Sequence, residues 1–256
     1  MKMYNNILVT ATNSPYYSSL LTLISNVHKD SLEVVDRIFV FNLGLEENEI
    51  NYLNTLKNVE VLKELEKTKQ DLVLMCGHYA SWEWVFILDR FVSYDIYGIY
   101  KKLSNPYFDK IIKKSRSKFN GFLISTKEAI YTIGKNAKAN KNMSLYGFAS
   151  DQTPKLKRAF HWGEFMGVTV PIHTGAEMLA KKHNLAIAFL SVEKIKRVYY
   201  MTTFEKITTT PKDYKDFEIS DIFIKKVEKQ IKKAPENYTW THKRWKHKDK
   251  APKKFL

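Results

Sequence analysis

His78 and Glu83 stand five positions apart in Gly77-His78-Tyr79-Ala80-Ser81-Trp82-Glu83-Trp84, and this pair is where the chain could do chemistry. A carboxylate on one imidazole nitrogen fixes the tautomer and leaves the other nitrogen as a general base. Residues five apart on an ideal helix lie about 140° from each other. The two side chains therefore meet only if His78 occupies the turn before a helix and reaches over its first turn. The flanking pattern supplies that context: Asp71–Cys76 has strand character and a helix is expected over 81–92. The point where a strand of an α/β sheet gives way to a helix is where ligand sites gather. Without such a role, His78 ends a strand and Glu83 is a favourable charge in a first helical turn. Cys76 reads as a buried structural thiol. His161 and His173 have no carboxylate at metal-ligand spacing, so no metal is expected.

The elements that must hold these residues follow an α/β grammar. Ile7-Leu8-Val9-Thr10 and Arg37-Ile38-Phe39-Val40-Phe41 read as strands, and Val59-Glu60-Val61 as a third. Helices marked by Asn13-Ser14-Pro15 with Leu20, Leu23, Ile24 and Val27, and by Ile50, Leu53 and Leu56, lie between them, giving a βαβαβ segment. A seam is expected near residue 65. Beyond it, strands are expected over 71–76, 96–100, 144–149, 186–192 and 198–206. Helices are expected over 81–92, 106–119, 127–138, 174–183 and 220–233, the last with Phe223, Val227 and Ile231 on one stripe.

The charge is uneven. Residues 1–70 carry a net of −2, whereas residues 71–256 hold 35 basic against 18 acidic side chains, a net of +17. Such a field favours anionic partners. A single cysteine excludes a disulfide framework. No apolar run reaches the eighteen or so residues that a spanning helix needs. Neither a secretory signal nor a nucleic-acid-binding signature is found, and no nucleic acid is expected as a partner.

Six ordered blocks resemble one family, the late lipid A biosynthesis acyltransferases. The Gly77–Trp84 stretch is similar to the family's H-x-x-x-x-[DE] box. Tyr100-Lys101-Lys102-Leu103-Ser104-Asn105 and Phe108-Asp109 through Arg116 resemble the block and helix that follow it. Ser150-Asp151-Gln152-Thr153-Pro154 resembles its Asp-Gln-x-Pro block. Phe165-Met166-Gly167 with Val170-Pro171-Ile172-His173-Thr174-Gly175, and the closing Tyr238-Thr239-Trp240-Thr241-His242-Lys243-Arg244-Trp245-Lys246, complete the likeness. Two departures stand out. Lys101 replaces an arginine, which keeps charge but loses bidentate geometry. Residues 1–65 replace the family's membrane-anchoring start with a segment that weakly resembles the opening of a glycosyltransferase, without a DxD metal motif.

The resemblance implies a three-layer α/β sheet with helices on both faces, glycerol-phosphate-acyltransferase-like, over residues 66–256, preceded by the βαβαβ segment 1–65. It implies transfer of a fatty acyl chain from acyl carrier protein to a hydroxyl of a phosphorylated glycolipid, a lipid A precursor, with no cofactor beyond that co-substrate. His78 is then the general base and Glu83 its orienting carboxylate. Lys101, Lys102 and Arg116 meet phosphate or the thioester oxyanion, Asp151 orients a basic residue, and Gln152 lies at the substrate. The expected setting is peripheral, at the cytoplasmic face of the inner membrane, with Lys243–Lys248 facing an anionic membrane surface. The alternatives are an acyltransferase fusion left inactive by its replaced start, a glycosyltransferase fragment, and a basic nucleic-acid-binding protein.

Overall fold

The computed structural model describes residues 7–12, 37–42, 60–82, 86, 88–89, 91–116, 121–139, 142–196 and 199–255. Strands β1 (Ile7–Thr12) and β2 (Arg37–Asn42) pair in parallel as a small sheet. The helices expected between and after them lie outside the described residues. The expected third strand is not formed: Glu60 and Val61 open helix α1, Glu60–Glu66. Leu62 and Leu65, one turn apart, are buried there in the core of the main sheet. A helical stripe thus overrides the β-branched valines, and the expected seam near residue 65 falls inside this packed helix.

The main sheet is built from β3 (Leu72–Cys76), β4 (Asp95–Tyr100), β5 (Phe122–Ser125), β6 (Ser144–Ala149), β9 (Ala186–Lys196) and β10 (Tyr199–Thr208). Its order is β10-β9-β3-β6-β4-β5, parallel throughout except for the antiparallel edge strand β10. β3 lies inside the sheet, and all five of its residues are buried. That burial explains its unbroken apolar run, since a strand covered on both faces has no side to make polar. Val73 and Met75 enter one apolar cluster, and Leu72, Leu74 and Cys76 enter another. The first cluster is closed by helices α3 (Ala129–Asn136), α4 (Gly175–His183) and α5 (Glu218–Lys233). Helix α2 (Pro106–Arg116) links β4 to β5.

Two elements differ from expectation. Over 81–92, the described residues Trp82, Phe86, Leu88 and Asp89 have 3₁₀ rather than continuous α-helical geometry. Gly98 on β4 admits the Phe86 ring, because a Cβ there would strike it. An unexpected hairpin also forms, β7 (His161–Phe165) and β8 (Val168–Ile172), turning at Met166 and Gly167, both with positive φ. Methionine is a weak turn signal, which hid this hairpin from pattern reading.

The N-terminus of α5 is capped from another helix. The buried Glu177 carboxylate of α4 accepts the Phe217 N–H at 2.7 Å, the Ser220 N–H at 2.8 Å and the Ser220 hydroxyl at 2.7 Å. An anion there also meets the positive end of the helix dipole. Glu177→Ala strands these donors and is expected to cost on the order of 3 kcal/mol, read as a lower urea midpoint in equilibrium unfolding.

Candidate functional site

β3 and β6 are adjacent and parallel, in the register Cys76 opposite Ala149. One more bond, Ser150 N–H to Cys76 C=O at 3.2 Å, continues the ladder past both strands. The second residue beyond each strand end is therefore brought face to face, and these residues are His78 and Asp151. His78 Nδ1 lies 2.6 Å from Asp151 Oδ1. The α-carbon of Gly77 packs towards the Val227 methyls and the Asp151 carboxyl.

Asp151 is fully buried. Burial pushes its carboxyl up, but the hydrogen bond and charge of His78, helped by backbone N–H groups, win and hold it below the ordinary carboxylate range. The ionised carboxylate accepts, so Nδ1 carries the proton and donates. His78 Nε2 then holds a lone pair, and the ring remains 22% exposed, so a reactant can reach it. Among the described residues, the carboxylate in contact with His78 is that of Asp151. Glu83 lies outside the described residues. Asp151 does not pair with a basic side chain among the described residues.

The other expected residues fall around this pair. The His78 ring meets Trp82 edge-on at 5.1 Å between centroids, and the Arg116 guanidinium lies 5.5 Å from the Trp82 and Phe86 rings. Lys101 and Lys102 are exposed on the loop that leaves β4, and Gln152 is half-buried beside Asp151. Cys76 is buried, and burial followed by the Asp151 charge pushes its thiol far up, which makes it inert as a nucleophile. His161 pairs with Asp221 at 2.7 Å, a carboxylate sixty residues away that ligand spacing did not reveal. No cluster suited to a metal ion occurs among the described residues.

The chain's closing block packs against the His78 turn, and its Lys243, Lys246 and Lys248 side chains are exposed. Thr239 N–H donates to His78 C=O at 3.1 Å, Ala80 N–H donates to Asn237 C=O at 2.8 Å, and the Tyr79 hydroxyl donates to Ala234 C=O at 2.9 Å. Arg244, within the basic stretch expected at the membrane, is completely buried. Its Nη1 donates to Pro171 C=O at 3.0 Å, and its guanidinium lies 4.8 Å from the Phe165 ring. Its own carbonyl accepts the Thr153 hydroxyl at 2.6 Å. Burial lowers the Arg244 pKa to about 10, with Tyr238 and Asp151 opposing the fall, so the group remains a cation at neutral pH. His242 Nε2 accepts the Thr153 N–H at 3.0 Å, and burial with the Lys246 and Arg244 charges lowers its pKa and favours the neutral ring this bond requires. His173 is solvent-exposed although protein atoms crowd round it. That crowding and the Arg244 charge push its pKa down, less than complete burial would. Pattern reading placed Arg244 in a membrane-facing basic run and gave Tyr238 and Thr153 no role of their own; the shared offset of His78 and Asp151 from their strand ends was the available signal.

A family model described as bacterial lipid A biosynthesis acyltransferase matches residues 35–247. No curated protein matches the chain.

The depressed carboxyl of Asp151 makes this pair pH-dependent. Its contribution is complete above the ordinary carboxylate value near 4 and fades as pH falls below it toward the lower folded value. The stability gap between wild type and Asp151→Asn should therefore stay level above about pH 4 and shrink below it, as measured by urea unfolding across pH.

Proposed function

We propose that this chain, which belongs to the bacterial lipid A biosynthesis acyltransferase family, moves a fatty acyl group from the thioester of acyl carrier protein to a hydroxyl of a phosphorylated lipid A precursor. The observation that carries the mechanism is the 2.6 Å contact between His78 Nδ1 and the buried Asp151 carboxylate. His78 Nε2 takes the acceptor hydroxyl's proton as the oxygen attacks the thioester carbonyl. Asp151 stays ionised and stabilises the imidazolium that forms. The tetrahedral intermediate then expels the carrier's thiolate, and His78 returns the proton to it. The inert Cys76 favours direct transfer over a covalent acyl-enzyme.

Lys101, Lys102 and Arg116 lie on the elements following β4, and in this reading they meet the acceptor's phosphate or the thioester oxyanion. Gln152, next to Asp151, belongs to the substrate-binding group. Glu83, the carboxylate of the H-x-x-x-x-E box, is the alternative orienting partner for the same histidine. The working location is the cytoplasmic face of the inner membrane, held peripherally at an anionic surface. Among the described residues, no helix is long and apolar enough to cross a membrane.

Purified protein, acyl-loaded carrier protein and a phosphorylated lipid A precursor in mild detergent should yield a product heavier by one acyl chain. His78→Ala should lower turnover by about 10²–10⁴-fold. Asp151→Asn should fall in a similar range, and the double variant should lose little more than either single one. Full activity in Asp151→Asn with loss in Glu83→Gln would return the orienting role to Glu83. Undiminished transfer by His78→Ala would overturn the mechanism, and no transfer by folded wild type would overturn the reading as a whole.

A further inference from the structure

Strands β3, β4, β5 and β6 run in parallel, so their C-terminal ends share one rim of the sheet, the rim that carries His78 and Asp151. The helices that follow β4 and β5 start there. Each begins with the same arrangement, two large apolar side chains at its second and third positions. Tyr107 and Phe108 on α2 are 79% and 61% exposed, and Ile130 and Tyr131 on α3 are 62% and 73% exposed. The inward positions are taken by Asp109 on α2 and by Ala129 and Ile133 on α3. The exposed pairs are therefore surplus to the core.

The two helix starts are neighbours. Thr126 N–H, ahead of α3, donates to Tyr100 C=O at 3.0 Å, and Glu128 feels the charges of Lys113 and Lys102. Lys101, Lys102, Lys110 and Lys127 are exposed within a few residues of the apolar pairs, and Lys114 is exposed one turn beyond Lys110 on α2. The acidic groups here are already engaged. Asp109 accepts the Leu103 N–H at 2.9 Å and pairs with Lys113 at 3.6 Å. Glu128 accepts the Ser125 N–H at 2.8 Å. The surface is thus apolar side chains set among lysines whose charge is only partly offset.

Large exposed apolar clusters mark interaction sites, and this composition is that of a membrane interface. Aromatic rings settle at headgroup depth while lysines extend toward lipid phosphates. We propose that the rim formed by the starts of α2 and α3 docks on an anionic lipid bilayer. The apolar pairs project from two separate elements, which suits a lipid surface better than one acidic helix. That the rim faces the acceptor's own membrane rests on the acyl-transfer reading; the docking surface rests on exposure and charge.

Co-sedimentation of the full chain with vesicles of mixed phosphatidylcholine and phosphatidylglycerol tests this, with phosphatidylcholine alone as the comparison. Wild type should bind the anionic vesicles, and less well as salt rises. Tyr107→Ser/Phe108→Ser/Ile130→Ser/Tyr131→Ser should weaken binding by about tenfold or more. Its melting temperature and its transfer to detergent-dispersed acceptor should stay at wild-type levels. Lys110→Glu/Lys114→Glu should also weaken binding and flatten its salt dependence. The proposal is overturned if wild type ignores anionic vesicles or if the quadruple variant binds them as wild type does. It is equally overturned if that variant loses affinity only for acyl carrier protein. Vesicle binding through these residues by a wild type that transfers no acyl chain would leave the surface standing and remove the acyl-transfer reading.

Discussion

A carboxylate with no exposure to water must find its stabilisation inside the protein, and Asp151 finds it in one imidazole. The register of β3 against β6 is what makes this possible. Because the strands are parallel and in step at Cys76 and Ala149, the chain leaves both at the same height and delivers His78 and Asp151 to the same point. A one-residue slip would turn each side chain to the opposite face. The register is held in turn by two apolar clusters, one on each face of β3. The meeting of His78 and Asp151 follows from this core packing.

The second support comes from the far end of the chain. Residues 237–245 cross the site, bonded to the His78 turn on one side and anchored by Arg244 on the other. Arg244 is an unusual anchor, a cation with no exposure and no carboxylate within ion-pair distance among the described residues. Carbonyl oxygen, a threonine hydroxyl and an aromatic face hold it instead. Such a group contributes more to uniqueness of arrangement than to net stability, because its desolvation offsets much of what it gains. Its positive field also reaches Asp151, which favours the ionised carboxylate that the histidine requires.

Much of this was legible from residue order. Most strands and helices beyond residue 70 stand close to where periodicity placed them, because long apolar stripes such as Phe223, Val227 and Ile231 have one physical meaning. His78 was legible as the candidate general base from its place after a fully apolar strand. Its partner was not, because sequence distance says nothing about which strand lies next to which. Asp151 is 73 residues from His78 in the chain and 2.6 Å from it in space. Val59-Glu60-Val61 misled for a related reason: local β propensity is weak against the burial of Leu62 and Leu65 on one helical face. The burial of Arg244 inside a basic run was hidden too, since a charged residue is placed on the surface by default.

The bond between the Tyr79 hydroxyl and the Ala234 carbonyl joins groups 155 residues apart. Its consequence lies in the order of manufacture. A ribosome makes the histidine turn 155 residues before the carbonyl that braces it, so the growing chain carries the turn unbraced over that interval. Contacts of such separation are slow to form. The His78 turn therefore gains these bracing bonds only once residues 234–239 have left the ribosome.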